Sequence, residues 1–150
     1  MTDQPKILLI EARFYEDLAD ELAAGAIEVF EKAGAEVTRV AVPGVLEIPA
    51  ALSMALIATE VADAEIYDGY VVLGAVIRGE TTHYDIVANE SARAIMNMVT
   101  SEGLALGNGI QTVENQKQAW ARANRSEKNK GGGAAQAALA MIETKKKLGL

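Results

Sequence analysis

The sequence predicts an α/β fold: a single three-layer α/β/α domain with a four-stranded parallel sheet. Three observations lead there. The 150 residues are half hydrophobic and 23% charged, the balance of one domain with a buried core. Short apolar runs alternate with segments of helical periodicity, so that strands and helices follow one another in turn. The strand runs are continuously apolar rather than alternating, as expected of parallel strands covered on both faces.

Taken in order, Lys6–Ile10 is a short buried-strand run. Leu18, Leu22, Ala26, Val29, Phe30 and Ala33 then recur at helical spacing until Gly34 ends the helix. Glu36–Val42 is a valine-rich second strand, broken by Pro43-Gly44. A helix follows from Ile48 to Ala62. Leu52, Ala55 and Leu56 lie on one of its faces, and Met54, Ile57 and Val61 on another. A helix apolar on two sides is buried on two sides, which in a domain this small points to packing against a second subunit. Tyr70–Leu73 is the third strand, and His83–Glu102 a helix with Val87, Ser91, Ala94, Ile95 and Met98 on one face and Gly103 at its end. Leu104–Ile110 is a glycine-interrupted fourth strand. Asn115–Ala123 and Ala134–Leu148 are the last helices, and Lys145, Lys146 and Lys147 suit the final turn of the second. The strand order this predicts is flavodoxin-like, and in such sheets ligands bind beyond the carboxyl ends of the strands.

Composition narrows the partners. A net charge of −7 argues against nucleic acid and anionic membranes, both of which need a basic footprint. With no cysteine, disulfides and thiolate chemistry are excluded. No apolar stretch is long enough for a membrane span and none reads as a signal peptide, so a cytoplasmic location is expected.

The segment from Gly74 to Asp85 carries the most chemistry. It runs from a strand into a helix, with Thr82 and Asp85 spaced as a capping box and Gly79 allowing close backbone approach. Backbone N–H groups at such a helix start attract anions. His83, the only histidine, falls in the first turn beside them, where it is either a proton-transfer group or a bystander. Arg78 is readable as a surface ion-pair partner. Arg122 and Lys130 are either site cations or part of a solvated charged face. Phe14 either stacks on a ring or staples the helix after it. Trp120 reads as a packing residue, and Met96 and Met98 as core or interface fillers.

Four motifs together resemble the lumazine synthase family over about Lys6 to Leu148. They are Arg13-Phe14 followed by Gly25-Ala26; Val42-Pro43-Gly44-Val45-Leu46-Glu47-Ile48-Pro49; Leu73 to Asp85; and Gln118-Ala119, Arg122-Ala123 and Asn129-Lys130-Gly131. The resemblance implies condensation of 5-amino-6-(D-ribitylamino)uracil with 3,4-dihydroxy-2-butanone 4-phosphate, with no cofactor and no metal. It implies that His83 transfers protons, that Glu80, Thr81 and Arg122 meet the butanone phosphate, and that Lys130 lies near the site. Phe14 would stack on the pyrimidine; Ala75, Val76 and Ile77 would contact it; Val45, Leu46 and Glu47 would meet the ribityl chain. The sequence departs from the family at Leu46, where phenylalanine is common, at Tyr15, where asparagine is, and at Asn108, where an aromatic often closes the pyrimidine site. The family forms homopentamers with sites between neighbours, some of which build larger shells. The Asn124–Asn129 turn lacks the glycine-rich pattern of shell formers, so an isolated pentamer is expected. The departures leave one alternative, a weakly active paralogue kept as a lumazine- or flavin-binding or scaffold protein.

Overall fold

The computed structural model describes residues 4–150. Its four strands are β1 (Lys6–Ala12), β2 (Glu36–Val42), β3 (Gly69–Ile77) and β4 (Leu106–Val113). Its helices are α1 (Glu16–Lys32), α2 (Ile48–Val61, entered through a 3-10 turn at Val45–Glu47), α3 (His83–Glu102), α4 (Gln116–Ala123) and α5 (Lys130–Lys147). All strands are parallel, in the order β2-β1-β3-β4, which is the flavodoxin-like order expected.

That order dictates the layers. Right-handed crossovers that leave β1 toward β2, and then run back past β1 to β3, put their helices on opposite faces. Ile7, Leu9, Val71 and Leu73 accordingly pack with α1, α4 and α5 around Leu22 and Phe30. Leu8, Ile10, Tyr70 and Val72 pack on the other face with Ile48 and Leu52 of α2 and Val87 and Ile95 of α3. Burying side chains of this size stabilises the fold by about 1.5–3 kcal/mol each.

Two faces remain uncovered. β2 was expected to be sandwiched, but it is an edge strand with Val40 exposed and only Val37 and Val42 half-buried. On α2, Ile48 and Leu52 are buried while Met54, Ile57 and Val61 are 67%, 53% and 77% exposed, so the second apolar face inferred from sequence faces outward. Of the two methionines expected as core or interface fillers, Met98 is partly buried on the core and Met96 is exposed.

Helix α5 begins at Lys130, a turn earlier than expected, because Gly131, Gly132 and Gly133 are helical rather than a break. The side chain of Asn129 caps it, accepting a hydrogen bond from Gly132 N at 3.2 Å. The glycines allow contact with α1: a Cβ on Gly131 would stand 2.0 Å from the Leu22 carbonyl oxygen. Gly25 of α1 faces the same joint, since a Cβ there would meet Asn129 Oδ1 at 2.4 Å. Among the described residues no helix is long and apolar enough to cross a membrane.

Candidate active site

The connections from β1 and β3 leave the sheet in opposite directions, so the chain opens a crevice beyond their carboxyl ends. A cleft of about 550 Å³ lies there. Phe14 and Tyr15 reach it from the end of β1, Pro43 to Glu47 from the end of β2, and Ala75, Val76 and Ile77 from β3. Gly79, Thr81, His83, Tyr84 and Val87 complete it from the loop and first turns of α3.

Local chemistry explains the arrangement. β3 continues four residues past the expected end at Leu73, and Ala75, Val76 and Ile77 pair with Gln111, Thr112 and Val113 of β4. The cleft floor is therefore a hydrogen-bonded strand end rather than a loop. Gly74 lies where Val45 and Ala12 close in; a Cβ there would be 2.8 Å from Val45 Cγ2. Val45 is itself buried and shapes the floor, whereas Leu46 and Glu47 are exposed at the rim. Phe14 is 73% exposed, touching Tyr15 edge-on at 4.9 Å between centroids, so it does not act as a staple. An exposed aromatic face over an apolar floor suits a flat heterocycle.

The polar end of the cleft is the start of α3. Thr82 occupies the N-cap position, but its side chain makes no capping bond. The hydroxyl of Thr81 instead accepts a hydrogen bond from His83 N at 3.3 Å, which ties the loop to the helix and holds Thr81 at the mouth. His83 is exposed there as the first helical residue, next to the positive end of the helix dipole. Arg78 takes the ion-pair role. Its Nε donates to Glu114 at 3.0 Å, its Nη1 lies 3.6 Å from Asp85, and its guanidinium stacks 4.2 Å over the Tyr84 ring. These contacts raise the Arg78 pKa, the Glu114 hydrogen bond most. They hold the loop between Ile77 and His83 against the end of β4.

Four of the residues carried over by resemblance do not line this cleft. Glu80 is exposed in the same loop. Asn108 sits mid-strand on β4, level with Val72, where its Oδ1 accepts from Ile110 N at 2.9 Å. Arg122 is half-buried on α4 and Lys130 exposed at the start of α5, helices that pack on the α1 face of the sheet. Arg122 nevertheless stands out. Of the six arginines it is the one without a carboxylate partner among the described residues; its Nη1 donates only to the Gln118 carbonyl at 3.1 Å. Lys130 has no ion pair among them either. Tyr84 and Val87 join the lining without a signal of their own in the sequence beyond position: Tyr84 adjoins the one histidine and Val87 follows one turn on. Trp120 is partly exposed on α4, beside Arg122. Among the described residues no group of three or more His, Asp or Glu side chains gathers as metal ligands would.

Residues 4–146 match the family model described as 6,7-dimethyl-8-ribityllumazine synthase. The chain is 60% identical over 146 residues to the protein of that name from Agrobacterium fabrum, covering 97% of this chain and 98% of that one. It is 62% identical over 143 residues to 6,7-dimethyl-8-ribityllumazine synthase 1 of Rhizobium meliloti, covering 95% and 93%. It is 55% identical over 145 residues to the Bartonella bacilliformis synthase, covering 97% and 93%.

Proposed function

The chain belongs to the 6,7-dimethyl-8-ribityllumazine synthase family, and we propose that it condenses 5-amino-6-(D-ribitylamino)uracil with 3,4-dihydroxy-2-butanone 4-phosphate in the cleft between Phe14 and His83. The observation that carries this is the cleft itself, with an exposed ring face, an open strand end and an anion-attracting helix start on three sides of one space.

The chemistry asks little of the protein beyond holding two molecules together and moving protons. The 5-amino group of the pyrimidine attacks the ketone and loses water to form an imine. Phosphate is eliminated, leaving a new carbonyl, and the ribityl-bearing nitrogen closes the ring with loss of a second water. Phe14 covers the pyrimidine face while Ala75, Val76 and Ile77 meet its edge. Val45, Leu46 and Glu47 lie toward the ribityl chain. Glu80, Thr81 and the start of α3 receive the butanone phosphate. His83 relays protons between the reacting carbon and the departing groups.

Residues of β4, α4 and α5 complete this site from a second copy. Arg122 is a cation without a carboxylate partner among the described residues, and placing it and Lys130 opposite the helix start of a neighbour would supply the phosphate's missing counter-charge, with Asn108 at the pyrimidine end. The outward apolar face of α2 and the groove of about 320 Å³ between it and β2, lined by Val40, Met54 and Tyr67, support assembly. A closed pentamer satisfies such a head-to-tail contact, and the Asn124–Asn129 turn favours one that stands alone.

The test is lumazine formation from both substrates at neutral pH, followed by absorbance with the spontaneous reaction subtracted. His83→Ala is expected to lower kcat about 10²-fold. Arg122→Ala is expected to raise KM for the butanone phosphate at least about tenfold, the cost of an uncompensated anion. A wild-type rate no better than background, in a folded protein, would overturn the reading and leave the binding paralogue.

A further inference from the structure

Glu11 is the one charged residue in the buried interior of the described chain, with a side chain only 3% exposed. It lies near the end of β1 on the face shared with α1. Its carboxylate accepts three hydrogen bonds from two guanidiniums: Arg13 Nη1 at 2.7 Å, Arg39 Nε at 2.7 Å and Arg39 Nη2 at 2.9 Å. Arg13 is held again by Asp20 and Glu16 at the start of α1, and its backbone N–H donates to the Val42 carbonyl at 3.0 Å. One buried carboxylate thus ties β1 to β2 at the level where both strands hand over to the cleft. The paired acids hold both guanidiniums further into their charged range, Asp20 and then Glu11 for Arg13, and Glu11 for Arg39.

Nothing in the sheet requires this. Buried ion pairs carry a desolvation cost that often cancels their attraction, and apolar residues of similar size commonly give equal stability. The position has another consequence. Phe14 follows Arg13 directly, and its side chain is 73% exposed with only Tyr15 against it in the aromatic contacts. Packing therefore does not fix where the ring stands; the backbone at Arg13 does.

We propose that Glu11 is a positioning residue for the pyrimidine half of the cleft: by gripping Arg13 and Arg39 it fixes the end of β1 and so the stacking face of Phe14. The inference rests on the condensation reading above for its substrate. It gives Glu11, Arg13 and Arg39 no contact with substrate.

Glu11→Gln keeps the shape and removes the charge. It is expected to raise KM for the ribitylaminouracil about 3- to 10-fold, the span of a lost aromatic contact. KM for the butanone phosphate and kcat should stay within about twofold. Arg39→Lys, at a side chain 47% exposed, keeps the charge without the two-toothed grip and should shift the same KM in the same direction. It serves if Glu11→Gln fails to fold. In Phe14→Ala, adding Glu11→Gln should change nothing further, since the two act through one ring. Equal rises in both KM values, or full additivity with Phe14→Ala, would overturn the positioning role. Titration of the 8-ribityllumazine into each variant, read by its fluorescence, separates the two ideas. A wild type that binds it without turnover sinks the condensation reading alone, and the binding ratios then decide Glu11. A wild type that does not bind it overturns both.

Discussion

Alanine at Gly131 and at Gly133, two positions apart in one helix, should move stability in opposite directions. A Cβ on Gly131 would sit 2.0 Å from the Leu22 carbonyl oxygen, 2.9 Å from its carbon and 3.1 Å from its Cα, all backbone atoms that no rotamer change can clear. Ordinary contact lies near 3.5 Å, so α1 and α5 must part by more than about 1 Å. That separation loosens the joint where Asn129 meets Gly25 and Gly132. Overpacking of this kind costs about 1–3 kcal/mol, and a residue in the first turn regains little helix propensity. A Cβ on Gly133 would meet nothing within 4 Å, the site is exposed, and its φ is not positive. Alanine there should add about 0.5–1 kcal/mol by lowering the entropy of the unfolded chain. The assay is urea unfolding by far-UV circular dichroism at one fixed protomer concentration, because assembly shifts apparent stability. At a slope of roughly 2 kcal/mol/M, Gly131→Ala should lower the midpoint by about 1 M and Gly133→Ala raise it by a few tenths. A Gly131→Ala protein as stable as wild type would refute the close approach of the two helices. Loss of stability in Gly133→Ala would mean that its face is covered.

Two further predictions concern assembly and acid. Ile57→Glu places a charge on the outward face of α2, where the side chain is 53% exposed; the protomer should fold, sediment as a smaller species and lose synthase activity per chain. An unchanged sedimentation coefficient would remove that face from the interface. The Glu21 carboxyl is held below its ordinary 4.5 by hydrogen bonds from the Arg125 side chain and backbone. A depressed folded-state value stabilises above the unfolded value and is lost as pH falls through the folded one. Glu21→Gln should therefore cost about 1 kcal/mol or less at neutral pH, and flatten the fall of stability with acid below about pH 4.5, measured as urea midpoints from pH 7 down to 3. An unchanged acid limb would place Arg125 elsewhere in solution.

Periodicity located the elements, and their ends were legible where one residue type marks them. α3 spans His83–Glu102 as expected because Thr82 stands at its N-cap and Gly103 adopts a left-handed φ of 63° at its end. β4 was harder. Gly107 and Gly109 weakened the strand signal, yet they are there because Ala134 lies against the sheet: a Cβ on Gly107 would be 1.8 Å from its carbonyl oxygen. Gly131 of α5 misled for the same reason. In each case close backbone packing between distant segments chose glycine, and local propensity assigned it to a break.

The site was legible in a more uneven way, and the unevenness follows from topology. Phe14, Val45–Glu47 and His83 follow successive strands, and Ala75–Ile77 end one of them, so a strand order read from sequence suffices to gather them at one crevice. Asn108 belongs to the other edge strand, β4, and Arg122 and Lys130 to α4 and α5 on the α1 face of the sheet, and none of the three lines the cleft of its own chain. Ion pairing separates Arg122 from the other arginines. Arg13, Arg39, Arg78, Arg93 and Arg125 all have carboxylate partners, in a chain carrying 21 acidic residues, and Arg122 has none among the described residues. An arginine left unmatched in so acidic a protein is poised for an anion from outside the chain, and a phosphate held between two protomers would be one. Mixing His83→Ala and Arg122→Ala protomers tests this directly. If each site draws His83 from one copy and Arg122 from its neighbour, co-refolded mixtures regain activity that neither variant has alone; if both act within one chain, no mixture regains it.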